Sequence, residues 1–269
     1  MPDHPALTYL VCATPRSGST LLCETLRASG VAGRPLEHFE VLRHSGQPPQ
    51  PRAYFPDPLP PALEAHLAPN DPDEPGDETP QDWWARMLAI GSDDEGRVWG
   101  GKLMWGHVPD FLGRVHELPG LAGADLDTAL TELLGDGLPL LFVTRPDKVA
   151  QAVSLWRAVQ TRSWRAADDG PTAHDEKYVF AGIDHLVHLL ESDDAAWRRW
   201  FAETGRTPLE LTFDELAADP QGAVGRALAH LGLPADAAPA PATRRQGDDR
   251  NAEWIERYRA EAAGRRAAA

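Results

Sequence analysis

The opening strand–turn–helix constrains this chain most. Residues 8–14 (TYLVCAT) form an apolar, β-branched run that stops at Pro15, which is the pattern of a buried strand. Residues 15–18 (PRSG) are turn chemistry. Residues 19–29 (STLLCETLRAS) read as a helix, with Ser19 and Thr20 at its start and Gly30 after its end. Further strands are predicted at 98–104 (VWGGKLM), 138–144 (LPLLFVT) and 208–213 (PLELTF), the last alternating Leu209, Leu211 and Phe213. Helices are predicted near 147–162, 175–203, 221–231 and 251–265. Strands alternating with helices imply an α/β fold, a central parallel sheet flanked by helices. A length of 269 residues suits a single domain spanning 1–269. The Pro- and acid-rich stretch 46–81 should be a surface excursion with a short helix at 61–67. Residues 235–242 (ADAAPAPA) read as a flexible connector, so that 235–269 forms a C-terminal loop and helix.

Charge narrows the partners. Lys and Arg number 26 and Asp and Glu 41, a net charge of −15. That argues against generic nucleic-acid polymers and anionic membrane surfaces, which select basic faces, without excluding a local basic site. The two cysteines, Cys12 and Cys23, cannot build a disulfide framework and point to a reducing, cytoplasmic setting. The N-terminus lacks a basic region followed by a long apolar one, so no signal peptide is expected. The apolar runs are strand-sized, too short to span a bilayer. The charge is uneven: residues 71–95 carry nine acids and one Arg, whereas 145–165 carry Arg145, Lys148, Arg157, Arg162 and Arg165 against Asp147 alone. That basic segment directly follows a predicted strand, and open α/β sheets bind ligands at the carboxyl ends of their strands.

Two motifs could hold an anion. Ala13 to Thr20 (ATPRSGST) overlays the phosphate-loop pattern GxxxxGK[ST] imperfectly, with Ser19 in the Lys slot. Such a loop offers backbone N–H groups and a helix N-terminus to a tetrahedral anion, and Arg16 adds a cation. The missing Lys weakens a nucleotide-kinase reading. Arg145 ends the third strand, where a guanidinium can hold a phosphate.

Together these motifs resemble the sulfotransferases that use 3′-phosphoadenosine-5′-phosphosulfate (PAPS), and among them the bacterial trehalose 2-sulfotransferase family. The segments RSGSTLL (16–22), LRASGVAGRPLEHF (26–39), VWGGKLMW (98–105), RPDKVAQAVSLWRAVQTRSWR (145–165) and RNAEWIERYR (250–259) carry the resemblance. It implies a P-loop-like sulfotransferase fold, a homodimer, PAPS as co-substrate and a small carbohydrate acceptor: trehalose, a related glycoside, a glycosylated natural product or a glycolipid precursor. It places Arg16, Ser17, Gly18, Ser19 and Thr20 around the 5′-phosphosulfate. Arg145 and Ser154 fall at the 3′-phosphate, and Arg244, Arg245 and Gln246 on a late 3′-phosphate loop. Glu37 matches the family's general base, the group that takes the acceptor's hydroxyl proton. His38 stands where the family has Phe and is an alternative base. Glu40 stands where it has Gln, and both are candidate acceptor contacts.

The remaining candidates come from residue chemistry. Lys102 could reach the sulfonate or acceptor, or be a snorkelling surface lysine. Trp105 and Trp156 could stack on a sugar, or belong to the core. Trp83 and Trp84 are candidate dimer-surface residues. His185 and His188 read as surface residues without metal-ligand spacing. No metal is required, because sulfuryl carries less charge than phosphoryl and fixed N–H donors and arginines can stabilise it.

Overall fold

The computed structural model of the chain describes residues 5–39, 50–56, 58–70, 78–164, 176–240 and 249–268. In chain order the elements are β1 (Leu7–Ala13), α1 (Ser19–Ala28), α2 (Pro61–Glu64), α3 (Pro80–Gly91), β2 (Val98–Met104), α4 (Val108–Val115), α5 (Leu126–Leu134), β3 (Leu140–Thr144), α6 (Lys148–Thr161), α7 (Phe180–Thr204), β4 (Leu209–Thr212), α8 (Phe213–Ala218), α9 (Pro220–His230) and α10 (Asp249–Ala268). They fall into two units. The first comprises Met1–His44, Pro75–Pro146 and Asp193–Thr243, and the second Ser45–Glu74, Asp147–Ser192 and Arg244–Ala269.

The first unit is built on a four-stranded parallel sheet ordered β2-β1-β3-β4, the α/β architecture expected. From β1 the chain goes first to β2 on one side, then crosses back to β3 on the other. The carboxyl ends of β1 and β3 therefore flank a topological switch point, where such sheets leave a ligand crevice. Side-chain alternation separates two cores. Leu10, Cys12, Trp99, Leu103, Leu140 and Phe142 face α3, α4, α5 and the Trp197–Trp200–Phe201 cluster of α7. Tyr9, Val11, Ala13, Met104, Leu141 and Val143 face α1, α8 and α9.

The strand boundaries differ from the sequence reading for local reasons. β3 begins at Leu140, not 138, because Pro139 has no N–H for the ladder; its carbonyl accepts from Leu10 N at 3.1 Å. β4 stops at Thr212. Phe213 opens α8 instead of continuing the strand, because Thr212 and Glu215 form a capping box. The unanticipated α3 starts on Thr79, whose hydroxyl accepts from Asp82 N, with Pro80 in the first turn. Its Trp83 and Trp84, expected on the surface, are buried in the first core. The connector expected at 235–242 begins as a 3-10 turn at Ala235–Ala237, and Ala238 is buried.

The second unit packs α6, the first half of α7 and α10. Leu155, Trp156 and Val159 meet Ile183, Leu186 and Leu190, with Trp254 and Tyr258 alongside. The short helix expected within 61–67 is α2. Its Leu63 and the following Leu67 are buried in this core, and Ala68 N donates to Val159 O at 3.1 Å. That part of the Pro-rich stretch is therefore core rather than surface. The helix expected from 175 begins at Phe180, because Lys177 is used to tie down α6: its N donates to Gln160 Oε1 and its carbonyl accepts from Trp156 Nε1.

Candidate active site

The loop after β1 is shaped for an anion. Ser17 N donates to Thr14 O at 3.3 Å, and Arg16 and Gly18 both have positive φ, 62° and 93°. Gly18 is the N-cap of α1 and gives the helix no side-chain cap, so the first amides of α1 face outward as donors. Position 18 needs glycine twice over: for its φ, and because a Cβ there would stand 3.0 Å from Phe213 Cδ2. Ser17 is buried and its Oγ has no hydrogen-bond partner among the described residues. An unpaired buried hydroxyl costs about 1–3 kcal/mol, and an anionic oxygen in the loop would satisfy it. The residues present thus fit a phosphate or sulfate group.

Arg145 directly follows β3. Its guanidinium carbon lies 4.1 Å from the centroid of the Phe213 ring, the same ring that covers Gly18. Phe213 therefore supports the guanidinium by cation–π contact and ties its place to the loop. This role is not legible in the sequence, where Phe213 falls in the alternating apolar row of a strand.

Lys102 lies mid-strand on β2, on the face shared with Met104 and turned toward α1. It is 3% exposed, which overturns the surface alternative. Its Nζ stands 3.2 Å from Thr20 Oγ1 and 3.2 Å from Glu37 Oε1. A buried ammonium needs such partners. Glu37 arrives there because residues 33–37 run along the outer edge of β2: Leu36 bridges Gly101, and Lys102 N donates to Leu36 O at 2.9 Å. Gly33 permits the approach. It has φ 64°, and a Cβ would meet Val98 O at 2.6 Å. Phe39 anchors the far end against Trp99 and Phe111. His38 is turned back on this segment, its Nε2 2.8 Å from Arg34 O. Cys23 of α1 lies near the pair. Burial pushes its thiol up to about 12, with Lys102 lowering and Glu37 raising it, so it stays protonated.

Other candidates are placed differently. Trp105, at the end of β2, is partly buried and packs edge-on to Trp197 at 5.0 Å. Trp156 is 0% exposed and donates its Nε1 to Lys177 O. It has no free face for a sugar and is a core residue. Ser154 lies on α6 in the second unit. Glu40, Arg244, Arg245 and Gln246 lie outside the described residues. His188 is exposed, whereas His185 is half-buried, with Nε2 at Tyr54 O and its ring stacked on Phe55. Among the described residues no group of three or more His, Cys, Asp or Glu side chains is placed to hold a metal ion. No helix among them is long and apolar enough to cross a membrane.

The sheet and these placements define a class: an α/β fold with a loop shaped for an anion at the switch point of its parallel sheet. The Stf0 sulphotransferase family model matches residues 8–261. A trehalose 2-sulfotransferase of Mycolicibacterium smegmatis (strain ATCC 700084 / mc(2)155) is 40% identical, over 97% of each chain. A trehalose 2-sulfotransferase of Mycobacterium tuberculosis (strain ATCC 35801 / TMC 107 / Erdman) is 41% identical, over 94% of this chain and 95% of its own. Among solved structures, the sulfotransferase domain of the Synechococcus PCC 7002 olefin synthase aligns over 96% of both chains at 15% identity, with a TM-score of 0.41. The chain belongs to the Stf0 sulfotransferase family.

Proposed function

We propose that this sulfotransferase moves the sulfuryl group of PAPS to a hydroxyl of trehalose or a related glycoside, with Glu37 as general base. One observation carries the reading: the Lys102 ammonium joins Glu37 to Thr20, and so ties a carboxylate to the anion loop. The family membership and the names of the relatives support the sulfuryl chemistry and the disaccharide acceptor. The loop of Arg16, Ser17, Gly18, Ser19 and Thr20 would hold the phosphosulfate, and the orphaned Ser17 hydroxyl supports this. Arg145, and Ser154 with Arg244, Arg245 and Gln246, would hold the 3′-phosphate. His38, Glu40 and Trp105 would line the acceptor.

In the reaction Glu37 takes the proton of the attacking hydroxyl. The acceptor oxygen bonds to sulfur while the bond from sulfur to the bridging phosphate oxygen breaks. The electron pair leaves with 3′-phosphoadenosine-5′-phosphate. Lys102 stabilises the Glu37 anion before the transfer, and the loop donors stabilise the leaving phosphate. A cytoplasmic homodimer completes the proposal. The buried, free Cys12 and Cys23 suit a reducing compartment, and sedimentation at twice the chain mass would check the dimer.

The test is sulfate transfer from PAPS to trehalose, followed by mass spectrometry. Glu37→Gln should lower kcat by about 10²-fold or more while leaving affinity for the bisphosphate product intact. An undiminished kcat overturns the role of Glu37. A wild-type protein that binds neither PAPS nor its bisphosphate product overturns the donor.

A further inference from the structure

We propose that Asp194 of α7 is a positioning residue that sets the spacing between the anion loop and Arg145. Thr14 and Thr144 are the residues that precede those two groups, Thr14 after β1 and Thr144 at the end of β3. Both are buried, and both donate their hydroxyls to one carboxylate: Thr14 Oγ1 to Asp194 Oδ1 at 3.1 Å, and Thr144 Oγ1 to Asp194 Oδ2 at 2.5 Å. One turn further along α7, Trp197 Nε1 donates to Ala13 O at 2.9 Å. A single helix face thus grips both strand ends on either side of the switch point.

The charge argues for a geometric purpose. A carboxylate behind an anion site opposes anion binding by simple Coulomb repulsion, so attraction of the donor cannot explain it. A planar group with two acceptor oxygens, however, can bridge two hydroxyls and fix their separation. Arg145 and the loop must meet the 3′-phosphate and the 5′-phosphate carried by a single ribose. A shift of their mutual distance would weaken both contacts at once.

The inference rests on the donor reading above, and calorimetry with 3′-phosphoadenosine-5′-phosphate separates the two. Asp194→Ala should weaken bisphosphate affinity by about tenfold or more, with a matching rise in the PAPS KM and a smaller change in the acceptor KM. Asp194→Asn keeps one acceptor and gains a donor for the Thr144 oxygen, so it should stay within about threefold of wild type. Should Asp194→Ala fail to fold, Thr144→Val removes one hydroxyl without changing the carboxylate, and should show the same bias toward the donor, with Thr144→Ser restoring it. Leu130→Ala, a buried variant on α5 that makes none of these hydrogen bonds, controls for lost stability and should leave bisphosphate affinity unchanged. Asp194→Ala or Thr144→Val with wild-type affinity overturns the inference, as does an Asp194→Asn variant as weak as Asp194→Ala. Absence of bisphosphate binding in the wild type overturns the donor reading and this inference with it.

Discussion

Burying an ammonium is unfavourable unless its charge and its N–H groups are met, and Lys102 shows how the fold meets them. The strand VWGGKLM announces a lysine among apolar residues, but not which residues surround it. Its partners depend on β2 lying beside β1 with α1 above, an arrangement that strand and helix patterns alone do not specify. Glu37 was legible as a carboxylate within a familiar segment; its contact with Lys102 was not. Lys102→Met removes the cation and leaves Glu37 largely buried beside a thioether. Losing one partner of such a pair should cost about 3 kcal/mol of stability, read from urea unfolding, together with most of the transferase activity. A second residue-scale effect belongs to Asp193. Burial first, and then the neighbouring Asp194 charge, push its carboxyl from 3.8 up to about 6. The folded protein therefore holds a proton that the unfolded chain has released, so this group's contribution to stability falls as pH rises from about 4 through 6. Asp193→Asn cannot ionise. Its melting temperature relative to wild type should rise between pH 4 and pH 7, and a constant offset across that range would contradict the assignment.

Elements with strong periodicity or a cap signal were legible: β1, α1, β2 and α6 fall within a residue or so of their expected limits. The misread elements were decided by competing local chemistry. Thr212 can continue a strand or cap a helix, and the glutamate three residues on tips it to the cap. Pro80 looked like part of an irregular excursion until Thr79 and Asp82 supplied the N-terminal hydrogen bond of α3. Trp156 adjoins a site motif in sequence, yet its ring lies on the α6 face that Gly182 of α7 packs against. The edge segment 33–37 is the element on which catalysis should depend most directly. Gly33→Ala would press a Cβ against two backbone carbonyls, Val98 O at 2.6 Å and Gly91 O at 2.8 Å, neither of which can swing away. The segment should lift from β2 and carry Glu37 off Lys102, while the anion loop stays intact. The expected result is a kcat lowered by about 10²-fold or more with bisphosphate affinity retained. Equal losses in both would place the damage in the sheet rather than in the Glu37 segment.

At the scale of the whole molecule, charge is the property the sequence states most directly and explains least. The net −15 argues against a polyanionic polymer as partner, yet Arg16 lies on the loop after β1, Lys102 reaches Thr20 at the end of that loop and Arg145 directly follows β3, cations enough for one small anion. Long-range field and local site therefore have opposite signs. An acidic protein repels anionic solutes at distances where salt still matters, a Debye length of about 10 Å at 0.1 M, while contacts inside a site are screened much less. A neutral disaccharide feels only the site, whereas an anionic sugar of the same size must first cross the repulsive field. At saturating PAPS, kcat/KM for trehalose should thus change by less than about twofold between 0.02 and 0.3 M salt. The same parameter for a trehalose phosphate should start lower and climb as salt is added. A steep fall of the anionic sugar's kcat/KM with added salt would mean that a basic acceptor entrance outweighs the acidic exterior, and that anionic glycosides are its preferred acceptors.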